Sequence, residues 1–116
     1  MKKTIFFFFV FLVLVQGAFT EEEAVQEVAL IAKKWEYFPN TLTAKKGVTV
    51  KVYITSIDVT HGISFREFEK SGRKVVKGKI TTFTFTPTKA GEYSFACTNF
   101  CGAGHGEMKG KIIVEE

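Results

Sequence analysis

The feature that most constrains the fold is a two-residue alternation of apolar and polar side chains. The longest example places an aliphatic residue at every second position: Val48, Val50, Val52 and Ile54. A period of two is typical of a strand with one buried face. Shorter runs of the same kind occupy residues 63–66, 82–86 and 93–97, and apolar runs lie at residues 28–32 and 112–114. The sequence after residue 20 therefore predicts strands almost throughout.

Turn signals separate these strand-like runs. Glycine or proline marks the pairs at residues 39–40, 46–47, 71–72, 77–78 and 90–91. No amphipathic helix of useful length interrupts the pattern. Short strands at regular spacing predict an all-β antiparallel sandwich or barrel. Five aromatic residues are expected in its core or on strand faces: Trp35, Tyr37, Phe38, Phe83 and Phe85.

The first nineteen residues read as a targeting segment. Lys2 and Lys3 precede an unbroken apolar run at residues 5–15, and the small residues Gly17 and Ala18 follow. This order is typical of a cleaved signal peptide. The alternative is a short membrane anchor, although residues 5–19 as a helix would span only about 22 Å of a bilayer core about 30 Å thick. Both interpretations place residues 20–116 in the periplasm or on the outer face of the membrane.

The length and charge of the remaining chain narrow its function further. Residues 20–116 suit one compact domain and are too few for two. Without Lys2 and Lys3, fourteen basic residues face twelve acidic ones, and the two kinds are interleaved. This pattern predicts a solvated surface and no nucleic-acid partner.

One twelve-residue segment, 97–108, carries the most informative chemistry. It holds both cysteines of the chain, one of the two histidines and the single methionine besides Met1. The other histidine lies upstream, within the sequence DVTHG at residues 58–62. Four glycines between positions 102 and 110 disfavour a helix, so the segment predicts a loop between two strands. The candidate metal ligands are His61, Cys97, Cys101, His105 and Met108.

Thiolate, thioether and imidazole groups suit copper far better than magnesium or calcium. Two cysteines, two histidines and a methionine are too many ligands for one trigonal copper site, which favours two copper ions bridged by both thiolates. Three alternatives stay open. The cysteines can form a disulfide, as is common outside the cytoplasm. A mononuclear blue-copper site needs only Cys101, His105, Met108 and His61, and a copper chaperone or store would use similar ligands.

A coordination sphere closed by protein ligands favours electron transfer, because a hydrolytic metal site needs an open position for water. An electron shared by two bridged metals changes each bond length only slightly, so a rigid, buried site reorganises little. No substrate pocket is required. We therefore expect an electron carrier, or an oxidase-associated subunit without a substrate site of its own.

The pattern Cys-x3-Cys-x3-His-x2-Met, preceded by Asp-Val-x-His-Gly, resembles the binuclear-copper (CuA) domain of cytochrome c oxidase subunit II and of nitrous oxide reductase. Further matches include WEYFP at residues 35–39 and AGEY at residues 90–93. The resemblance implies a cupredoxin-like Greek-key sandwich over most of residues 20–116. It also implies a role for each ligand: Cys97 and Cys101 bridge the coppers, His61 and His105 each bind one, Met108 is axial, and Asn99 supplies its backbone carbonyl.

Two departures from the family qualify this resemblance. Many oxidase subunits carry an acidic residue at the position of Asn99, where its side chain serves a second metal. They also carry full-length transmembrane helices, whereas this chain has one short apolar segment. It therefore looks more like a free or loosely tethered CuA carrier. The partners implied are a c-type cytochrome or other redox protein, a terminal oxidase or reductase, and a copper metallochaperone.

Overall fold

A computed structural model of the chain describes residues 24–69 and 71–116. The predicted signal peptide or anchor, residues 1–19, lies outside the described residues, as do the first four residues of the predicted domain. Within the described part, no helix is long and apolar enough to span a membrane. The elements are β1 (Val25–Lys33), β2 (Glu36–Phe38), β3 (Thr41–Lys45), β4 (Thr49–Ser56), β5 (His61–Ile63), β6 (Arg73–Val75), β7 (Thr81–Phe85), β8 (Gly91–Ala96), a short 3-10 helix (His105–Glu107) and β9 (Lys109–Glu115).

The alternation that predicted strands is clearest in β4. Val50, Val52 and Ile54 are buried, whereas the residues between them are only half-buried. Strands β7, β8 and β9 also lie where alternating or apolar runs predicted them. The run predicted at residues 63–66 is displaced, since β5 shares only Ile63 with it. The strands without a prediction are β2, β3 and β6, which have three to five residues each. Three residues, as in β2 and β6, carry too few alternations to stand out in a sequence. β3 had no prediction although it has as many residues as β7 and alternates in burial.

The strands form a β-sandwich, as predicted. One sheet has the order β2-β1-β4-β7, a second has the order β3-β9-β8, and β5 pairs with β6. Two pairs depart from the predicted antiparallel arrangement, because β1 runs parallel to β4 and β3 runs parallel to β9. Alternation along a strand is the same in either direction, so the sequence pattern contains no information about this choice.

Aromatic side chains fill much of the core. The ring of Phe65 lies 4.6 Å from that of Phe95 and 4.7 Å from that of Phe85, measured between centroids. Burying a phenylalanine contributes about 1.5–3 kcal/mol. Of the five aromatic residues predicted for the core or strand faces, Tyr37, Phe83 and Phe85 are buried. Phe38 lies on the outer face of β2, and Trp35 lies in the turn between β1 and β2.

One end of the sandwich brings together the segments that carry the candidate ligands. Cys97 follows β8 and Met108 precedes β9, and the amide of Cys97 donates a 3.1 Å hydrogen bond to the carbonyl of Met108. Ser64 and Ala96 exchange two backbone hydrogen bonds, of 3.0 and 3.2 Å. These bonds attach the segment that follows β5 to the end of β8. His61, the first residue of β5, is thereby placed beside the loop 97–108.

Candidate metal centre

His61 is the most deeply buried of the nitrogen and sulfur ligands predicted from the sequence, with 0% of its surface exposed. Its Nε2 lies 2.8 Å from Oδ1 of Asp58. Its Nδ1 is buried and has no hydrogen-bond partner in the described part of the chain. An unpaired buried nitrogen is unfavourable unless a ligand meets it. Nδ1 is therefore the His61 atom available to a metal.

Asp58 holds this histidine from the turn that follows β4. Its carboxylate accepts hydrogen bonds from the backbone amides of Lys34, at 2.7 Å, and of Val59, at 2.6 Å. Burial alone would raise the pKa of the Asp58 carboxyl, but these bonds and the contact with His61 lower that pKa to about 2. A carboxylate beside Nε2 favours the tautomer with its proton there, which leaves the Nδ1 lone pair for a metal.

Cys97 and Cys101 are both free, and their sulfur atoms lie 3.4 Å apart. Both thiols are buried, and they lie with a ring nitrogen of His61 so that all three atoms are within 4.8 Å of one another. Burial raises the pKa of the Cys101 thiol to about 12, and the neighbouring Cys97 acts in the same direction. Binding of a metal cation by these residues therefore requires the loss of thiol protons.

The other predicted ligands surround the cysteine pair. Nδ1 of His105 lies 3.5 Å and Sδ of Met108 lies 3.8 Å from the sulfur of Cys101. The carbonyl oxygen of Asn99 lies 3.1 Å from the sulfur of Cys97. The structure thus brings together all six residues predicted from the sequence. The metal that each one binds stays a prediction.

This donor set fits copper. It combines two thiols, a thioether and imidazole nitrogens, which are the soft and intermediate ligands that copper prefers. Met108 is 1% exposed and both cysteines are buried, so little water reaches the sulfur atoms. Nδ1 of His61 is buried without a partner in the described part of the chain, and a ring nitrogen of His61 lies within 4.8 Å of both sulfur atoms. These residues therefore match the copper centre that the sequence implies.

His105 and Phe100 form the outer side of this centre. His105 begins the 3-10 helix and is half-buried, with its amide donating to the carbonyl of Gly102 at 3.1 Å. Phe100 is 77% exposed, and its ring centroid lies 5.6 Å from that of His105. A phenylalanine this exposed packs on the outer edge of the centre, so it screens one histidine ring from water more than it covers the sulfur atoms.

Three residues that lie around the centre were given no functional role by the sequence analysis. Asp58 binds His61, Trp35 donates a hydrogen bond from Nε1 to the carbonyl of Cys101, and Thr98 packs between Gly62 and Gly72. The only available signal was the position of Asp58 in the same short motif as His61. Trp35 lies 66 positions from Cys101 in the chain, and no local pattern relates the two.

A family model described as the cupredoxin-like domain matches residues 4–114. The chain belongs to this family. Within it, the chain is 35% identical over 89 residues to cytochrome c oxidase subunit 2 of Thermus thermophilus, an alignment that covers 77% of this chain and 65% of that protein. It is also 37% identical over 78 residues to nitrous-oxide reductase of Pseudomonas fluorescens, covering 64% of this chain and 12% of the relative. These relatives confirm the resemblance found in the sequence.

Solved structures confirm the cupredoxin-like fold. The periplasmic domain of cytochrome oxidase subunit II from Bradyrhizobium japonicum aligns with a TM-score of 0.73 and 19% identity, over 82% of this chain and 87% of that one. A copper binding protein solved by NMR in its apo form aligns with a TM-score of 0.62 and 27% identity, over 82% of this chain and 92% of that one. The chain spans 65% and 52% of the lengths of two curated relatives from Thermus thermophilus.

Proposed function

We propose that this cupredoxin-like chain is an extracytoplasmic electron-transfer protein with a binuclear copper centre of the CuA type. The observation that carries the proposal is the meeting of all the predicted donor groups at one end of the sandwich. Cys97 and Cys101 would bridge the two ions, His61 and His105 would each bind one, and Met108 and the Asn99 carbonyl would be the weaker ligands. When bound, the copper pair supplies a one-electron redox couple.

The protein would contribute by holding these ligands in fixed positions and by excluding water from the sulfur atoms. Asp58 contacts Nε2 of His61 and so orients the ring, while Nδ1 has no partner in the described part of the chain. The sulfur atoms lie below the surface, and Met108 is anchored by the backbone bond that joins it to Cys97. A ligand set that is already arranged has little to reorganise as the electron count changes. With all six donors bound to copper, no coordination position would remain for a substrate.

The position of Cys97 favours two coppers over one. A mononuclear blue-copper site would leave this thiol unused, although its sulfur lies 3.4 Å from that of Cys101. Sulfur atoms at this separation, with the imidazoles of His61 and His105 beside them, are suited to sharing two ions. A chaperone would use the same donors but would exchange its metal quickly with an acceptor, so metal exchange distinguishes that function.

The proposed location and partners follow from the relatives. Similarity to subunit 2 of cytochrome c oxidase supports a periplasmic site or one on the outer membrane face. Residues 1–19 would be a signal peptide or anchor, and residues 20–116 would be the domain. Electrons would arrive from a c-type cytochrome or another redox protein and pass to a terminal oxidase or reductase. A copper metallochaperone would load the site.

The test is copper reconstitution of the purified, thiol-reduced protein. We expect two coppers per chain and a paramagnetic resonance spectrum with hyperfine structure from two equivalent nuclei. Cys97→Ser and Cys101→Ser should each leave at most one copper and single-nucleus splitting. Thr43→Ser, on the exposed face of β3, is the control and should retain both ions.

One copper per wild-type chain would contradict the binuclear centre and favour the blue-copper carrier. Rapid transfer of copper to an acceptor, without redox turnover, would favour the chaperone. A cysteine variant that kept the full two-copper spectrum would show that the bridging assignment is wrong.

A further inference from the structure

The turn between β1 and β2 contacts both segments that supply histidines to the metal centre, the Asp58–His61 turn and the Cys101–His105 loop. The backbone amide of Lys34 donates a 2.7 Å hydrogen bond to Asp58, which holds His61. In the next residue, Nε1 of Trp35 donates a 3.1 Å hydrogen bond to the carbonyl of Cys101. Two adjacent residues, 24 and 66 positions away from their partners, thus connect the two segments that supply the histidines.

The indole of Trp35 also lies against the backbone between Cys101 and His105. A Cβ built on Gly104 would be 2.6 Å from Cγ and 2.7 Å from Cε3 of Trp35. A Cβ built on Gly102 would be 3.2 Å from Cζ2 and Nε1. Contacts under 3.0 Å, as at Gly104, require one group to move, whereas the 3.2 Å contacts at Gly102 are tight. The backbone of the loop therefore lies directly on the ring.

At Gly104 the ring of Trp35, and not the backbone conformation, excludes a larger side chain. Its φ of −92° and ψ of 13° lie in a region open to other residues. Gly102 differs, because its φ of 119° favours glycine whatever the surroundings. A Cβ on Gly106, two residues further on, would meet nothing within 4 Å. Gly104 and Gly106 are thus a matched pair that differs in contact with Trp35.

We propose that Lys34 and Trp35 form a brace that sets the position of the Cys101–His105 loop relative to the Asp58–His61 turn before any metal binds. In this interpretation Trp35 is a positioning residue. The hydrogen bond from Nε1 locates the Cys101 carbonyl, and the ring face determines the path of the backbone to His105. The consequence for copper affinity rests on the proposed metal centre, whereas the packing of Trp35 against the loop does not.

A double-mutant cycle on the copper-free protein tests the packing. Gly104→Ala should lower the urea midpoint of unfolding, because its methyl group meets the indole, and Gly106→Ala should not. In a Trp35→Ala background, Gly104→Ala should lower the midpoint much less than in the wild type. If Gly104→Ala alone does not fold, its recovery in the Trp35→Ala background gives the same answer. Equal effects of Gly104→Ala in both backgrounds would overturn the brace.

Copper binding then tests the positioning role. Trp35→Phe keeps a ring but removes the indole N–H, and we expect its copper dissociation constant to rise about 10- to 100-fold, as when other outer partners of metal ligands are lost. We also expect an altered hyperfine pattern in the loaded variant, with both coppers retained at saturating metal. Trp35→Ala should have the larger effect, and Gly106→Ala should bind as the wild type does.

The two measurements separate this inference from the proposed function. Coupling between Trp35 and Gly104 in the copper-free protein supports the brace even where the wild type binds a single copper. Unchanged affinity and hyperfine pattern in Trp35→Phe and Trp35→Ala, in a wild type that binds two coppers, would overturn the positioning role while leaving the proposed function intact.

Discussion

The two histidines of the centre come from regions of opposite character. His61 begins β5, is 0% exposed and has a carboxylate partner that is itself held by two backbone amides. His105 lies in the loop between β8 and β9, is half-buried, and has the 77% exposed Phe100 as an aromatic neighbour. One imidazole is fully buried in the core, and the other is partly exposed at the edge of the centre.

The turn before His61 is also internally bonded. The hydroxyl of Ser56 hydrogen-bonds to the Val59 carbonyl and accepts a 3.2 Å bond from the Asp58 amide. The loop 97–108 has backbone hydrogen bonds of its own, such as the one from the His105 amide to the Gly102 carbonyl. It also packs against other segments, through Trp35 and through Thr98 between two glycines. We therefore expect the two histidines to contribute equally as copper ligands but unequally to the stability of the fold.

The largest effect should come from removing each histidine in turn. We expect His61→Ala to lower the free energy of unfolding of the copper-free protein by about 2–5 kcal/mol, because it leaves a buried cavity and removes one hydrogen-bond partner of the Asp58 carboxylate. His105→Ala should change it by no more than about 0.5–1 kcal/mol. Urea denaturation measures both values. Equal losses would show that the two regions do not differ in their importance for folding.

Gly62→Ala tests how tightly the two regions fit together. A Cβ at this position would be 2.5 Å from Oγ1 of Thr98 and 2.9 Å from the amide nitrogen of Asn99. We expect a loss of about 1–3 kcal/mol in unfolding free energy, as is typical of overpacking. Gly106→Ala is the control, since its Cβ meets nothing within 4 Å. A Gly62→Ala protein as stable as the control would imply that the loop moves away freely.

Asp58→Asn should weaken the support of His61 while keeping a side chain of nearly the same shape. The amide can still accept from the backbone of Lys34, but its contact with His61 loses the negative charge. We expect a loss of about 1–2 kcal/mol in unfolding free energy and copper affinity about tenfold lower. Glu107→Gln, an exposed change beside His105, should alter neither quantity. Isothermal titration with copper under reducing conditions measures the affinities, and identical values would remove Asp58 from the positioning role.

Phe100→Ala should have the smallest effect. Because the ring is 77% exposed, its removal should change the unfolding free energy by no more than about 0.5 kcal/mol. The chemical shifts of the His105 ring should move, since the two centroids are 5.6 Å apart. Phe95→Ala, at a position 1% exposed, is the contrasting control and should cost about 3–5 kcal/mol. A large loss from Phe100→Ala would mean that the outer edge also supports the fold.

The success of the sequence predictions differed between strands for an identifiable reason. The strand β4 was predicted because eight residues alternate without a break. The three-residue strand β2 was not, although Phe38 pairs with Ile31 of β1. Its register depends on a neighbouring strand and not on its own pattern. The parallel pairing of β1 with β4 is likewise a choice between distant segments.

The sequence by itself determined which donor groups this protein has and how closely four of them follow one another between residues 97 and 108. That information is local, because ligand type and spacing belong to a single stretch of chain. Only the tertiary structure decided that Asp58 would hold His61, that Trp35 would lie under the ligand loop, and that one imidazole would be buried while the other reached the surface. These contacts depend on which strand ends meet at one end of the sandwich. Apolar alternation specifies the buried face of a strand but not the neighbour at its end.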